Sequence, residues 1–206
     1  MSTLRVSPNL LISADLVSVD PSSIKHWTVE EYARMSELGF FQPSERTELI
    51  AGQILLMAAK GTPHVTSLHL CGNALEDLLK KTALIRRQDP IHLNNFSEPE
   101  PDLVIVQGTV LDYADHHPTP KEIYLVIEVA DSTLKYDCEI KDKLYAQAGI
   151  IEYWVLDLKG RRLHVFRQPD ADGYMSHTIL RESAQVSPLA FPAITLDIKA
   201  FLLPID

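Results

Sequence analysis

Two carboxylates and a lysine in this sequence have the types and the order needed to build a catalytic centre. Asp102 stands at the start of the apolar run 101–106, and Glu128 stands near the end of a second run, 123–129. Both runs are short and rich in β-branched residues, which predicts two buried strands. If the strands are neighbours, the two carboxylates meet, and they repel each other unless a cation binds between them. Hard oxygen ligands of this kind favour Mg²⁺ or Mn²⁺.

The lysine is Lys141, on a helix predicted over about residues 136–148 and ended by Gly149. At about 100° per residue, Lys141 falls on the apolar side of this helix, whereas Lys143 falls on the polar side. The apolar side comprises Ile140, Lys141, Leu144, Tyr145 and Ala148. An inward lysine needs a partner or a task, because an unpaired buried ammonium is costly. The alternative is that Lys141 extends from the rim of the helix and pairs with Asp137.

In this order the residues resemble the PD-(D/E)xK nuclease superfamily, whose fold is restriction-endonuclease-like. The resemblance rests on Pro101-Asp102, on Glu128-Val129-Ala130 and on the later lysine. One departure is that the superfamily's lysine usually lies two residues after the glutamate, where this chain has Ala130. Lys141, from the following helix, is the lysine that we assign instead, and Lys143 is its competitor.

A narrower resemblance is to a bacterial family of predicted endonucleases that was long catalogued as a domain of unknown function. It rests on Glu-Leu-Ile-x-Gly at residues 48–52, on His64 at the opening of the next helix, and on residues 145–154, YAQAGIIEYW. The members of that family often lack the usual lysine and offer one from the following helix. The resemblance runs from about Trp27 to Leu203, which is nearly the whole chain.

The resemblance implies an endonuclease that hydrolyses phosphodiester bonds with Mg²⁺ or Mn²⁺, with DNA as the expected nucleic-acid partner. Asp102, Glu128 and the backbone carbonyl of Val129 would hold the metal. Lys141 would position the attacking water and stabilise the developing negative charge. Glu48 and His64 would lie at the edge of the site.

Each of the peripheral residues also has a purely structural explanation. Glu48 could be a surface residue paired with Arg46, and a single histidine on an apolar helix face, such as His64, is often only a core residue. Tyr145, one turn past Lys141, either contacts the same cleft or belongs to the core.

The remaining elements are predicted from capping, turn and periodicity signals. The expected fold class is α/β, restriction-endonuclease-like, with a mixed central sheet flanked by helices and with added β-hairpins. The first predicted elements are a helix capped by Thr28 and Glu31 and running to Leu38, and a hairpin over 45–58. Next comes a helix capped by Thr62, whose buried face is predicted to hold His64, Val65, Leu68, Leu75 and Leu79. The others are strand pieces at 83–87 and 91–93, a hairpin at 153–166, an edge strand at 173–180 and a short helix at 197–203.

Composition limits the classes of function. With 206 residues, the chain fits one domain over 26–206, preceded by an arm over 1–25. The net charge of −9 argues against an extended non-specific grip on nucleic acid, but not against an enzyme with a local contact patch. Cys71 and Cys138 lie too far apart in sequence to form a zinc motif. No apolar run approaches a membrane span, so a cytoplasmic protein is expected.

Four ionisable side chains are predicted to be solvated: His69, Lys80 and, in one loop, His116 and His117. The rival class of function is a catalytically inactive nuclease fold retained as a binding or regulatory protein. A metal-dependent hydrolase of a small phosphodiester is a third reading. The exposed hairpins offer edges for pairing, which leaves a homodimer open.

Overall fold

The structure, a computed structural model, describes residues 23–79 and 82–205, and its centre is a six-stranded mixed sheet. The strand order is β3-β4-β5-β6-β7-β8, and all neighbouring pairs are antiparallel except β5 and β6. The strands are β3 Leu84–Arg87, β4 Leu103–Val106, β5 Ile123–Ala130, β6 Glu152–Asp157, β7 Arg162–Asp170 and β8 Gly173–Arg181. The predicted mixed central sheet is confirmed.

The two apolar runs form β4 and β5, the adjacent antiparallel strands at the centre of the sheet. Every residue of β4 is buried, and only Tyr124 of β5 is not. Strands covered on both faces carry continuous apolar runs rather than an alternating pattern, which explains this sequence. β4 begins at Leu103, so Asp102 immediately precedes the strand. β5 and β6 are parallel, and a helix connects them, as the crossover between parallel strands requires.

Helices cover both faces of the sheet. On one face, α2 (Thr62–Leu79) and the C-terminal 3₁₀ helix Ile198–Phe201 pack in one apolar core with alternate residues of the central strands. On the other face lies the crossover helix, α3, formed by the consecutive segments Leu134–Tyr136, Asp137–Lys141 and Asp142–Gln147. The middle segment of α3 is a π-helical turn. The predicted flanking helices are therefore present.

A smaller unit of α1 (Val29–Glu37) and the hairpin β1 (Thr47–Ile50) and β2 (Gln53–Leu56) adds to this body. Thr28 and Glu31 form the predicted capping box at the start of α1. The turn between the strands places Ala51 at φ 50° and Gly52 at φ 77°. A Cβ atom on Gly52 would lie 2.6 Å from the His26 Cβ, so glycine is needed there.

Several predicted details differ from the structure. Val65 was predicted to lie on the buried face of α2, which is wrong, because its side chain is 40% exposed. It lies about 100° around the helix from His64, outside the arc that meets the core. Residues 91–93 are not a strand, although Ile91 and Leu93 each donate a backbone hydrogen bond across the loop. The predicted helix at 197–203 is only a single 3₁₀ turn.

Other predictions concern the ends and the surface of the chain. Residues 1–22 of the predicted arm and Lys80 lie outside the described residues. His69 is exposed, as predicted, and the exposed ring of His116 contacts Asp115 and Glu122. Within the described ranges, no helix combines the length and the apolar character that crossing a membrane requires.

Glu152, at the start of β6, is a fully buried acid with a structural role, and its removal should destabilise the fold. Its carboxylate accepts hydrogen bonds from Trp154 Nε1 (2.9 Å), Arg167 Nε (2.8 Å) and Leu189 N (2.7 Å). Because Glu152→Ala leaves these donors without their acceptor, we expect a loss on the order of 3 kcal/mol in the free energy of unfolding, measured in urea.

The matched control is Glu37→Ala, which removes a glutamate that forms an exposed ion pair with Arg34. Its effect should stay within about 1 kcal/mol. Equal effects of the two substitutions would show that Glu152 does not stabilise the fold through its buried contacts.

Candidate active site

A cleft of about 370 Å³ opens between the β1–β2 hairpin, the start of α2 and the central sheet. Every residue that the sequence analysis assigned to the site lines it: Glu48, His64, Asp102, Glu128, Val129 and Lys141. They come from five separate parts of the chain, so the cleft exists only in the folded protein.

The pairing of β4 with β5 sets the two central carboxylates side by side. Leu103 pairs with Ile127, so the next position outward places Asp102 beside Glu128. The backbone N–H of Asp102 lies 3.3 Å from Glu128 Oε2, and the backbone N–H of Val129 donates to Asp102 Oδ2 at 2.9 Å. Because side chains alternate along a strand, both carboxylates share the face that α3 covers.

Lys141 extends from α3 into the cleft and joins two of the acids. Its Nζ lies 2.9 Å from Glu128 Oε1 and 3.4 Å from Glu48 Oε2, and the residue is 5% exposed. The predicted inward orientation is confirmed. The ion pairs are with Glu128 and Glu48, whereas Asp137 accepts a hydrogen bond from Thr133 Oγ1 at 2.6 Å.

The helical projection that identified Lys141 was wrong about its neighbours. Ile140 was predicted to face inward, but it is 49% exposed. The buried positions are instead Asp137, Lys141, Tyr145 and Ala146. At about 100° per residue they fall at about 60°, 100°, 140° and 240° from Ile140, so the buried arc is centred beyond Lys141 and leaves Ile140 outside it.

Asp102 is surrounded by hydrogen-bond donors on both oxygens. Oδ2 lies 3.0 Å from His64 Nε2, in addition to the Val129 N–H contact. Oδ1 lies 3.1 Å from Lys60 Nζ and 3.2 Å from Gln88 Nε2. A buried carboxylate is thus held in one orientation by an ammonium, an imidazole, an amide and a backbone N–H.

The purely structural explanations that the sequence allowed for His64 and Glu48 do not hold. His64 is buried in the first turn of α2 and contacts Asp102 rather than only apolar residues. Burial lowers the pKa of His64 even though the Asp102 carboxylate opposes the shift. A neutral imidazole can still donate from Nε2 to Asp102. Glu48 is buried beside Lys141, and Arg46 pairs instead with Glu100.

Burial also dominates the electrostatics of the acids. It raises the pKa of Glu128 to about 8, although the Lys141 ammonium lowers it and Asp102 raises it further. It raises the pKa of Asp137 to about 6, again against Lys141. Burial alone would lower the pKa of Lys141, but Glu128, Glu48 and Asp137 together raise it well above its ordinary value. The lysine therefore stays charged beside Glu128 and Asp137, whose burial opposes their ionisation.

The oxygen donors of the cleft fit a hard divalent cation that takes only a few of its ligands from the protein. Among the described residues, no cluster of three or more His, Cys, Asp or Glu side chains is arranged to enclose a metal ion. Mg²⁺, however, usually takes only one or two carboxylates and completes its shell with waters and substrate phosphate oxygens. Asp102, Glu128 and Val129 all line the cleft, and the two carboxylates supply oxygens of this kind.

Sequence reasoning missed two partners of Asp102 and left Tyr145 open. Lys60 and Gln88 lie in irregular segments where no periodicity indicates direction. Tyr145 is fully buried and donates from its hydroxyl to Glu128 Oε1 at 2.9 Å, so it is both a core and a site residue. Its spacing of four residues from Lys141 was the available signal.

The model of the Uma2 family, described as "Putative restriction endonuclease", matches residues 29–199. The chain belongs to this family. A similar solved structure is that of "a putative nuclease belonging to DUF820" from Anabaena variabilis ATCC 29413, with 16% sequence identity and a TM-score of 0.65. The match covers 84% of this chain and 96% of that chain. No protein with a curated description matches the sequence.

These findings confirm the family resemblance and the fold class. The Uma2 model runs from the start of α1 to the beginning of the C-terminal 3₁₀ helix, so both the β1–β2 hairpin with Glu48 and the central sheet lie inside the matched range. The structural match is likewise with a chain of this mixed α/β architecture.

The raised pKa of Glu128 predicts a pH-dependent stability in the presence of a chelator. A carboxyl with a raised pKa binds its proton more tightly in the folded state, so stability is lost as pH rises from about 4.5 to about 8. Between pH 6.5 and 8, the free energy of unfolding should fall with a slope of up to about 1.4 kcal/mol per pH unit, and Glu128→Gln should flatten it.

Urea denaturation across this pH range measures the slope. The exposed Glu139→Gln variant is the control and should keep the wild-type slope. Parallel curves for wild type and Glu128→Gln would contradict the shifted titration.

Proposed function

We propose that this protein is an endonuclease that hydrolyses phosphodiester bonds in DNA with bound Mg²⁺ or Mn²⁺. The observation that carries the proposal is the convergence of Asp102, Glu128 and Lys141 in one cleft. Membership of a family described as "Putative restriction endonuclease" supports the same class of reaction.

Asp102, Glu128 and the Val129 carbonyl would hold the cation. When bound, a divalent cation supplies Lewis-acid polarisation of the phosphate and lowers the pKa of a coordinated water. The chain prepares for this by orienting its ligands, because His64 and the Val129 N–H fix Asp102 while Tyr145 fixes Glu128. Ligands held in advance by neighbouring groups need little rearrangement on binding.

Lys141 supplies the positive charge nearest to the two carboxylates. Its ammonium is held by Glu128 and Glu48, so the group has a fixed position although the lysine side chain is long. A fixed cation in a buried cleft stabilises negative charge that develops on a phosphate group and can orient the attacking water. Glu48 is then a positioning residue that acts through Lys141.

Asp102 is the residue whose removal tests this proposal most directly. Purified wild-type protein should nick plasmid DNA in Mg²⁺ or Mn²⁺ but not in EDTA, and Asp102→Ala should remove the activity because a ligand oxygen is lost. Asp115→Ala, which changes an exposed aspartate, should cut like wild type. Full cutting by a folded Asp102→Ala protein would refute the assignment.

Substitution distinguishes between the two candidate lysines, Lys141 and Lys143. Lys141→Met should lower the rate of cutting by about 100-fold or more, since it removes a fixed charge at the reacting group. Lys143→Met should leave the rate unchanged, because Lys143 is exposed on the outer side of α3. Circular dichroism checks the fold of both variants. Loss of activity in Lys143→Met alone would move the catalytic role to that residue.

A binding or regulatory protein is the second candidate, and the net charge of −9 and the fully paired Asp102 favour it. Calorimetric titration with Mn²⁺ separates the two. A binding module should show no metal affinity that depends on Asp102 and Glu128 and should cut no nucleic acid.

A further inference from the structure

The Asp102 carboxylate, which we propose as a metal ligand, is paired in this structure with the ammonium group of a lysine of the same chain. Lys60 Nζ lies 3.1 Å from Oδ1, and both side chains are largely buried, with 14% and 8% exposure. Gln88 Nε2 contacts the same oxygen, while His64 and the Val129 N–H share Oδ2. A divalent cation that approaches Asp102 must therefore replace at least one of these four donors.

Two of the four donors are fixed by their surroundings, and the main chain of a third is hydrogen-bonded to Asp102. The Val129 N–H belongs to the backbone of β5, and His64 is buried in α2. Gln88 has φ 56°, and its own backbone N–H donates to the Asp102 carbonyl at 3.1 Å, so its main chain is tied to the same residue.

Lys60 is the donor that can leave. It lies in the irregular segment 57–61 between β2 and α2, next to Gly61, and this segment forms a wall of the cleft. Its four-carbon stem lets the ammonium move by several ångströms without any change in the main chain. No strand or helix hydrogen bond needs to break for this motion.

We propose that Lys60 is a tethered counter-ion, which occupies Asp102 in the metal-free cleft and moves to a phosphate of bound DNA when a divalent cation takes Asp102. This inference rests on the proposed nuclease function and adds a residue to it. Lys60 is then a substrate-positioning residue, and the cleft couples metal loading to phosphate binding.

The charges of the cleft explain why such a counter-ion is useful. Six carboxyl side chains line it: Glu48, Glu100, Asp102, Glu128, Asp131 and Asp137. Without metal, Lys60 and Lys141 are the lysines among the lining residues that offset them. Once a divalent cation supplies that charge, Lys60 is left on the cleft wall facing the anionic substrate, and a lysine binds phosphate as a mobile point charge.

The first arm of the test is a calorimetric titration with Mn²⁺ in the absence of DNA. Lys60→Met should bind Mn²⁺ about tenfold more tightly than wild type, because the competing ammonium is gone. Lys60→Arg, which keeps the charge, should retain wild-type or weaker affinity.

Lys159→Met is the matched control for a general change in charge. Lys159 is exposed and lies 3.8 Å from Asp131, another acid of the cleft, so its removal alters the local field without freeing Asp102. Its Mn²⁺ affinity should change by less than about twofold. Equal affinities of wild type and Lys60→Met would overturn the inference.

The second arm measures duplex DNA binding by fluorescence anisotropy over a range of KCl concentrations, in Ca²⁺ and in EDTA. In Ca²⁺, Lys60→Met should lower the magnitude of the slope of log K against log [KCl] by about 0.9, the value of one phosphate contact. In EDTA the slopes should coincide, because Lys60 is held by Asp102. Coincident slopes in Ca²⁺ would contradict the move to phosphate.

The two proposals can fail separately. If the wild-type protein cuts DNA with metal but Lys60→Met binds Mn²⁺ with unchanged affinity, the nuclease proposal stands and the counter-ion proposal is rejected. If Lys60→Met binds Mn²⁺ more tightly but the wild-type protein cuts no DNA, the competition at Asp102 is supported and the nuclease proposal is rejected.

Discussion

The antiparallel pairing of β4 with β5 is the constraint on which the whole site depends. It fixes Asp102 beside Glu128 and aims the Val129 N–H at the Asp102 carboxylate. The period of two along a strand then puts both acids on the face covered by α3. A shift of one residue in either strand would turn its acid to the α2 side, away from the other acid and from Lys141. Both faces of the pair are buried, which is why the two strands are apolar at almost every position beside these acids.

Gathering acids in a buried cleft has an electrostatic cost that the chain offsets locally. Lys141 joins Glu128 to Glu48, and Lys60 and His64 contact Asp102. A buried charge with satisfied partners is tolerated, whereas an unpaired one strongly destabilises a fold. The same contacts hold the carboxylates in position before any ligand arrives. The contacts that stabilise the cleft are thus the ones that a bound cation would have to rearrange.

The sequence alone predicted the main strands, the capping box of α1, the β1–β2 hairpin and six of the residues that line the cleft. The strands followed from short β-branched runs, and the cap followed from Thr28 and Glu31, so each depends on local chemistry. The site residues followed from a resemblance that fixes their order. The α3 projection gave the inward direction of Lys141 but failed for Ile140, because the apolar residues of this helix do not mark the centre of its buried arc, which holds the polar residues Asp137 and Lys141.

Tertiary structure decided which groups complete the site. Lys60 and Gln88 reach Asp102 from irregular segments, where neither periodicity nor capping indicates where a side chain points. The partner of Lys141 was likewise undetermined, because helical spacing offered Asp137 while strand pairing supplied Glu128. Local patterns determine which elements form and which side of each is apolar. Contacts between distant segments depend on how those elements pack, and only the folded chain specifies that.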